Sequence, residues 1–157
     1  MDSSLYIPFV QGSQNIIRQM AGVQVEFDEK ADVGGQEISS LGVTSIVTFA
    51  GMRRGRLLID MEPALALYMT NTIIGSEFDN AREYDVLTTI SELNNIIAGD
   101  AITKLNNEFD LSLRLAPPIV LCGDQPIISV PKLTSVTING RSDYGNIKIN
   151  IAFAKEG

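Results

Sequence analysis

Apolar residues recur at Tyr6, Phe9, Val10, Ile16, Ile17 and Met20, a helical stripe that predicts an amphipathic helix capped by Ser3 or Ser4 and ending near Gly22. Pro8 and Gly12 weaken its first half. VQVEFD then alternates as a half-buried strand does, and EKADVGGQE after it has the charge and glycine of a surface loop. Two β-rich runs, VTSIVTFA and GRLLIDM, flank the short turn at residues 51–54 and predict a hairpin. Glu62-Pro63 opens a second helix that stops at Gly75, and residues 77–80 form a polar connection. The longest periodic segment follows, a helix over residues 84–107. Pro117-Pro118 bars further helix, IVLC and PIISV read as strands, and LTSVTIN and NIKINIAFA are longer strands joined through the turn-rich residues 140–145.

Helices and strands are grouped rather than strictly alternating. That predicts an α+β fold in which a largely antiparallel β-sheet is covered by three helices. With 157 residues and no long linker, residues 1–157 are expected to form a single domain.

Composition narrows the chemistry. A net charge of −7 opposes binding to a phosphate backbone or an anionic bilayer, so neither nucleic acid nor membrane is an expected partner. The first residues lack the basic start and apolar run of a signal peptide, and a cytoplasmic protein is expected. Cys122 is the one cysteine and reads as a small buried hydrophobe near a strand end. Histidine is absent, which removes the usual general base and the commonest transition-metal ligand. Arg53, Arg54 and Arg56 cluster at the hairpin tip, where charges are ordinarily just solvated.

The long helix carries the candidate site. At 100° per residue, Leu87, Ile90, Ile97, Ala101 and Leu105 share a buried sector, whereas Thr88, Glu92, Asn95 and Gly99 fall within about 60° of one another on the opposite side. A Glu–Asn pair three residues apart on a solvated face is common by chance. Asn94, Asn95 and Gly99 are nevertheless three weak helix formers in one helix, a local rule broken without evident compensation.

TTISELNNIIAGDAITKL resembles the signature helix of the CheC/CheX/FliY chemotaxis phosphatases, whose pattern is Ser or Asp, three residues, Glu, two residues, Asn, twenty-two residues, Pro. Glu92, Asn95 and Pro118 match in identity and spacing, and Thr88 stands where the family has Ser or Asp. VTFAGMRRGRLLIDMEPALALYMTNTIIG and LAPPIVLCGD resemble the family's hairpin-then-helix and double-proline segments, so the likeness spans nearly the whole chain. A single Glu–Asn pair points to the CheX branch, which implies a homodimer joined sheet edge to sheet edge.

The resemblance implies a phosphatase acting on the aspartyl-phosphate of a CheY-like receiver domain. Glu92 and Asn95 would be catalytic, and Thr88 and Gly99 would let the partner approach closely. No cofactor or metal is expected on this chain, and the Mg²⁺ that neutralises the phosphoryl oxygens would be held by the phosphorylated receiver. A non-catalytic CheX-like dimer that only docks on a receiver or another signalling protein is the rival reading. A self-contained metal or nucleophile hydrolase lacks histidine and any nucleophile-elbow pattern.

Overall fold

A computed structural model describes residues 1–33, 37–123, 127–129 and 133–155. Helices α1 (Ser3–Ala21), α2 (Pro63–Ile74) and α3 (Tyr84–Phe109) pack on one face of an eight-stranded antiparallel sheet. Its strands are β1 (Glu26–Phe27), β2 (Asp32–Val33), β4 (Val43–Ala50), β5 (Arg54–Met61), β6 (Arg114–Leu115), β7 (Ile119–Cys122), β9 (Leu133–Ser142) and β10 (Gly145–Ala154). They run in the order β1-β9-β10-β5-β4-β6, with β2 also on β9 and β7 also on β4. A separate pair joins β3 (Glu37–Ser39) to β8 (Ile127–Ser129). This is the α+β arrangement expected.

Strand alternation separates two faces. Val47 pairs with Leu57 and Ser45 with Ile59, and these side chains meet the helices. There they join Phe9 and Ile17 of α1, Met69 of α2, and Ile90 and Ile97 of α3, all fully buried. Each such side chain contributes about 1.5–3 kcal/mol by leaving water. Phe9, Phe49 and Phe153 form an aromatic cluster with centroids 5.4–6.4 Å apart. Arg56, Leu58 and Asp60 of β5 lie on the other face and are also buried.

Local departures from the sequence pattern have local causes. Asp2, not Ser3 or Ser4, caps α1, its carboxylate accepting from the Ser4 N–H at 2.9 Å. Gly12 marks where α1 crosses α3, since a Cβ there would sit 3.1 Å from Asp100 Oδ2. Of VQVEFD only Glu26–Phe27 pairs in the sheet, and the expected loop after it contributes β2. Within PIISV, residues 127–129 form β8, and residues 126 and 130 lie outside the described part. β9 and β10 run further than the pattern suggests and leave only Asp143 and Tyr144 as the turn. α3 extends to Phe109, where Asp110 closes it in the left-handed conformation. Cys122 ends β7 and is half-buried against the core.

The arginine cluster needs correction. β5 already begins at Arg54, so Arg56 lies inside the sheet, opposite Thr48 and Ala152. It is 5% exposed and donates to Asn150 Oδ1 at 2.9 Å. Arg53 folds over the Phe153 ring, 5.1 Å from its centroid, and donates to the Ala154 carbonyl. Only Arg54 is openly solvated.

Candidate functional site on the outer face of α3

α3 is long because its inner face is apolar for its full length. Val86, Ile90, Leu93, Ile97, Ala98, Ala101 and Leu105 are buried against α1 and the sheet, while Leu87, expected among them, is only partly covered. Its far end is held by Asn106, which bonds Leu113 in both directions, at 3.1 Å through Nδ2 and 2.7 Å through Oδ1. The helix is therefore a rigid support. Residues on its outer side inherit that rigidity.

Thr88 and Glu92 are exposed on that side, and Asn95 and Gly99 are half-buried. The four sequence-predicted residues thus share one face, as their angles require. Among the described residues, neither the Glu92 carboxylate nor the Asn95 amide has a hydrogen-bond partner in the fold. Both are available to a second molecule. Gly99 borders β6: a Cβ there would meet Leu115 Cδ1 at 3.6 Å, an ordinary contact. Pro118, the last residue of the motif, immediately precedes β7, the edge strand that packs beside α3.

Two features of this helix escape motif matching. Asn94 is fully buried and donates to Ser45 Oγ at 3.0 Å, which pins α3 to β4. Its angle, about 240° from Thr88, falls within the apolar sector and was the available signal. Ile96 is 42% exposed beside Asn95 and adds an apolar contact point to the polar patch. Among the described residues no group of three or more His, Cys, Asp or Glu side chains is placed to hold a metal ion.

Comparison with known proteins bears on the family and the fold. The sequence profile of the family described as chemotaxis phosphatase CheX matches residues 43–139, a span that includes β4, β5, α2 and all of α3. No curated protein matches the chain. Among solved structures, the CheC-like superfamily protein of Shewanella sp. PV-4 superposes with a TM-score of 0.88 at 24% identity, covering 100% of each chain. CheX of Desulfovibrio desulfuricans superposes with a TM-score of 0.85 at 22% identity, covering 95% of this chain and 98% of its own. Both share the fold. The Borrelia burgdorferi protein solved as a CheX–CheY–BeF₃–Mg²⁺ complex is 27% identical, with a TM-score of 0.81 and coverage of 94% and 96%. With the profile spanning well over half of the sequence, the chain belongs to the CheX family of chemotaxis phosphatases.

Proposed function

We propose that the protein hydrolyses the aspartyl-phosphate of a CheY-like receiver domain. The observation that carries this reading is the outward, unengaged pair Glu92 and Asn95 on a rigid helix of a CheX-family fold. The similarity to the B. burgdorferi protein, itself solved with CheY, supports the choice of partner.

An aspartyl-phosphate is an activated acyl phosphate, so placing a water in line with the leaving oxygen is a large part of the task. Asn95 suits that role: its carbonyl accepts from the water and its amide donates, with no change of charge. The water oxygen bonds to phosphorus as the bond to the receiver's aspartate oxygen breaks, releasing inorganic phosphate and the free carboxylate. Glu92 forms a charge-assisted hydrogen bond with a lysine beside the phosphorylated aspartate and sets the register. Thr88 and Gly99, small and on the same face, let the helix approach. Mg²⁺ belongs to the receiver's own site and neutralises the phosphoryl oxygens there.

We further propose a dimer that joins sheets at β7, in the cytoplasm where receivers signal. Among the described residues β7 pairs only with β4, and its Ile119 and Leu121 are 57% and 41% exposed. An edge strand with one open side and exposed apolar side chains is a template for a further strand. No described helix is long and apolar enough to cross a membrane.

Turnover tests the reading. A phosphatase clears an excess of phosphorylated receiver at substoichiometric amounts. A docking module without catalysis leaves the label on all but the natural decay, and that result would replace this proposal with the binding one.

A further inference from the structure

On the face of the sheet turned away from the helices, three arginines converge in a chain that carries only 12 basic residues against 19 acidic ones. Arg54 of β5 and Arg114 of β6 both pair with Ala50, one on each side of β4, which puts their Cα atoms about 10 Å apart. Arg56 follows Arg54 by two residues and so points the same way. They line one cavity of about 640 Å³, a volume in the range of small-molecule sites. Ala50, Ala116 and Ala154 leave the space open, and Leu133 gives it an apolar wall.

No carboxylate lines this cavity among the described residues. That is unusual, because buried charges are ordinarily paired. Arg56 is only 5% exposed, yet among the described residues its one hydrogen-bonded neighbour is the neutral Asn150 amide. Its Nε has no partner at all. Burial accordingly lowers the Arg56 pKa to about 10. Arg54 and Arg114 are exposed at the rim, where they can close on a ligand from either side.

We propose that this cavity binds a small organic anion, a carboxylate, sulfonate or phosphate monoester on a short apolar body. The acidic head lies among Arg54, Arg56 and Arg114, where it supplies the counter-charge and the acceptor that Arg56 lacks. The apolar body lies over the alanines against Leu133. The alternation of β6 turns Arg114 away from α3, so this site is separate from the Glu92–Asn95 face.

The test uses the full chain and 8-anilinonaphthalene-1-sulfonate, whose fluorescence rises when an apolar cavity holds it. One site per chain is expected, displaced by octanoate, with weaker binding of the uncharged N-phenyl-1-naphthylamine. The double substitution Arg54→Gln with Arg114→Gln alters exposed side chains and leaves the fold intact. It should reduce affinity for the sulfonate by at least about tenfold, the loss of charge-assisted bonds. Arg56→Met should reduce it too, provided its circular dichroism matches the parent's. Affinity in the double variant within about twofold of the parent would overturn the proposal, as would equal binding of the uncharged probe. Binding that disappears as rising protein concentration drives dimer formation would mean that a second copy covers the cavity, and would overturn it as well.

Discussion

Asn94 and Ser45 meet at 3.0 Å between α3 and β4, amide nitrogen to hydroxyl oxygen, both side chains fully buried. The same amide lies 3.4 Å from the Leu57 carbonyl of β5. These contacts fix the rotation of α3 about its own axis. Because the next residue is turned by about 100°, Asn95 is carried round toward the outer face. Adjacent asparagines therefore do opposite work, one holding the helix and the other facing a partner.

Replacing Asn94 with alanine removes a buried donor and leaves Ser45 without it, at a cost of about 1–3 kcal/mol. Urea unfolding should show a lower midpoint with an unchanged slope. Phosphatase turnover should fall only partly, because the outer residues remain and only their setting loosens. An Asn94→Ala protein as stable as the parent would show that the Ser45 bond holds nothing.

Asn95 offers the opposite pattern. Its side chain is half-buried and supports nothing in the fold, so Asn95→Ala should stay within about 0.5 kcal/mol of the parent. Turnover of a phosphorylated receiver should nevertheless drop by about a hundredfold or more, the usual loss when a positioned polar group is removed from the transition state. Receiver binding, read by titration, should be nearly unchanged. Glu92→Ala should weaken binding and turnover together. Undiminished activity in Asn95→Ala would end the water-positioning role.

How much of this is legible in the sequence depends on where the determining contacts lie. The hairpin β4–β5 and helix α3 are readable because their signals are complete within the segment: two β-rich runs about a short turn in one, a continuous apolar sector in the other. Strands of two residues, such as β2 and β6, have no period to read and exist only because β9 and β4 offer them partners. Arg56 illustrates the same limit. The local sequence shows an arginine near a turn, and only its pairing with Ala152, far along the chain, buries it. The site face is set by angle alone and so is legible, but Leu115, the neighbour that half-covers Gly99, comes from a later strand that no helical periodicity anticipates.

Gly99 is separable from folding. Its Cβ position is free apart from a van der Waals contact with Leu115, so alanine fits and should raise stability by up to about 1 kcal/mol through helix propensity. A larger side chain should act on the partner instead. Gly99→Leu is expected to keep the thermal midpoint of the parent or exceed it, while receiver affinity falls at least about tenfold because the helix can no longer close on the cleft. Unaltered affinity in Gly99→Leu would remove Gly99 from the docking face.

Asp60 gives the fold a pH dependence of unusual sign. Burial pushes its carboxyl above the ordinary value of 3.8, while hydrogen bonds from Leu41 N–H, Thr44 and Ser40 and the Lys148 ammonium at 3.8 Å pull the other way. With the folded value raised, the native state binds the proton more tightly than the unfolded chain. Stability from this group is then fully present below the ordinary carboxylate value and is lost as pH rises through the window up to the raised one. Asp60→Asn has no such proton. The stability difference between parent and Asp60→Asn, measured by urea unfolding at several pH values, should shift against the parent as pH climbs through that window and level off above it. A difference that stays constant across the same range would mean that the Leu41, Thr44 and Ser40 donors together with Lys148 already outweigh the cost of burying the charge.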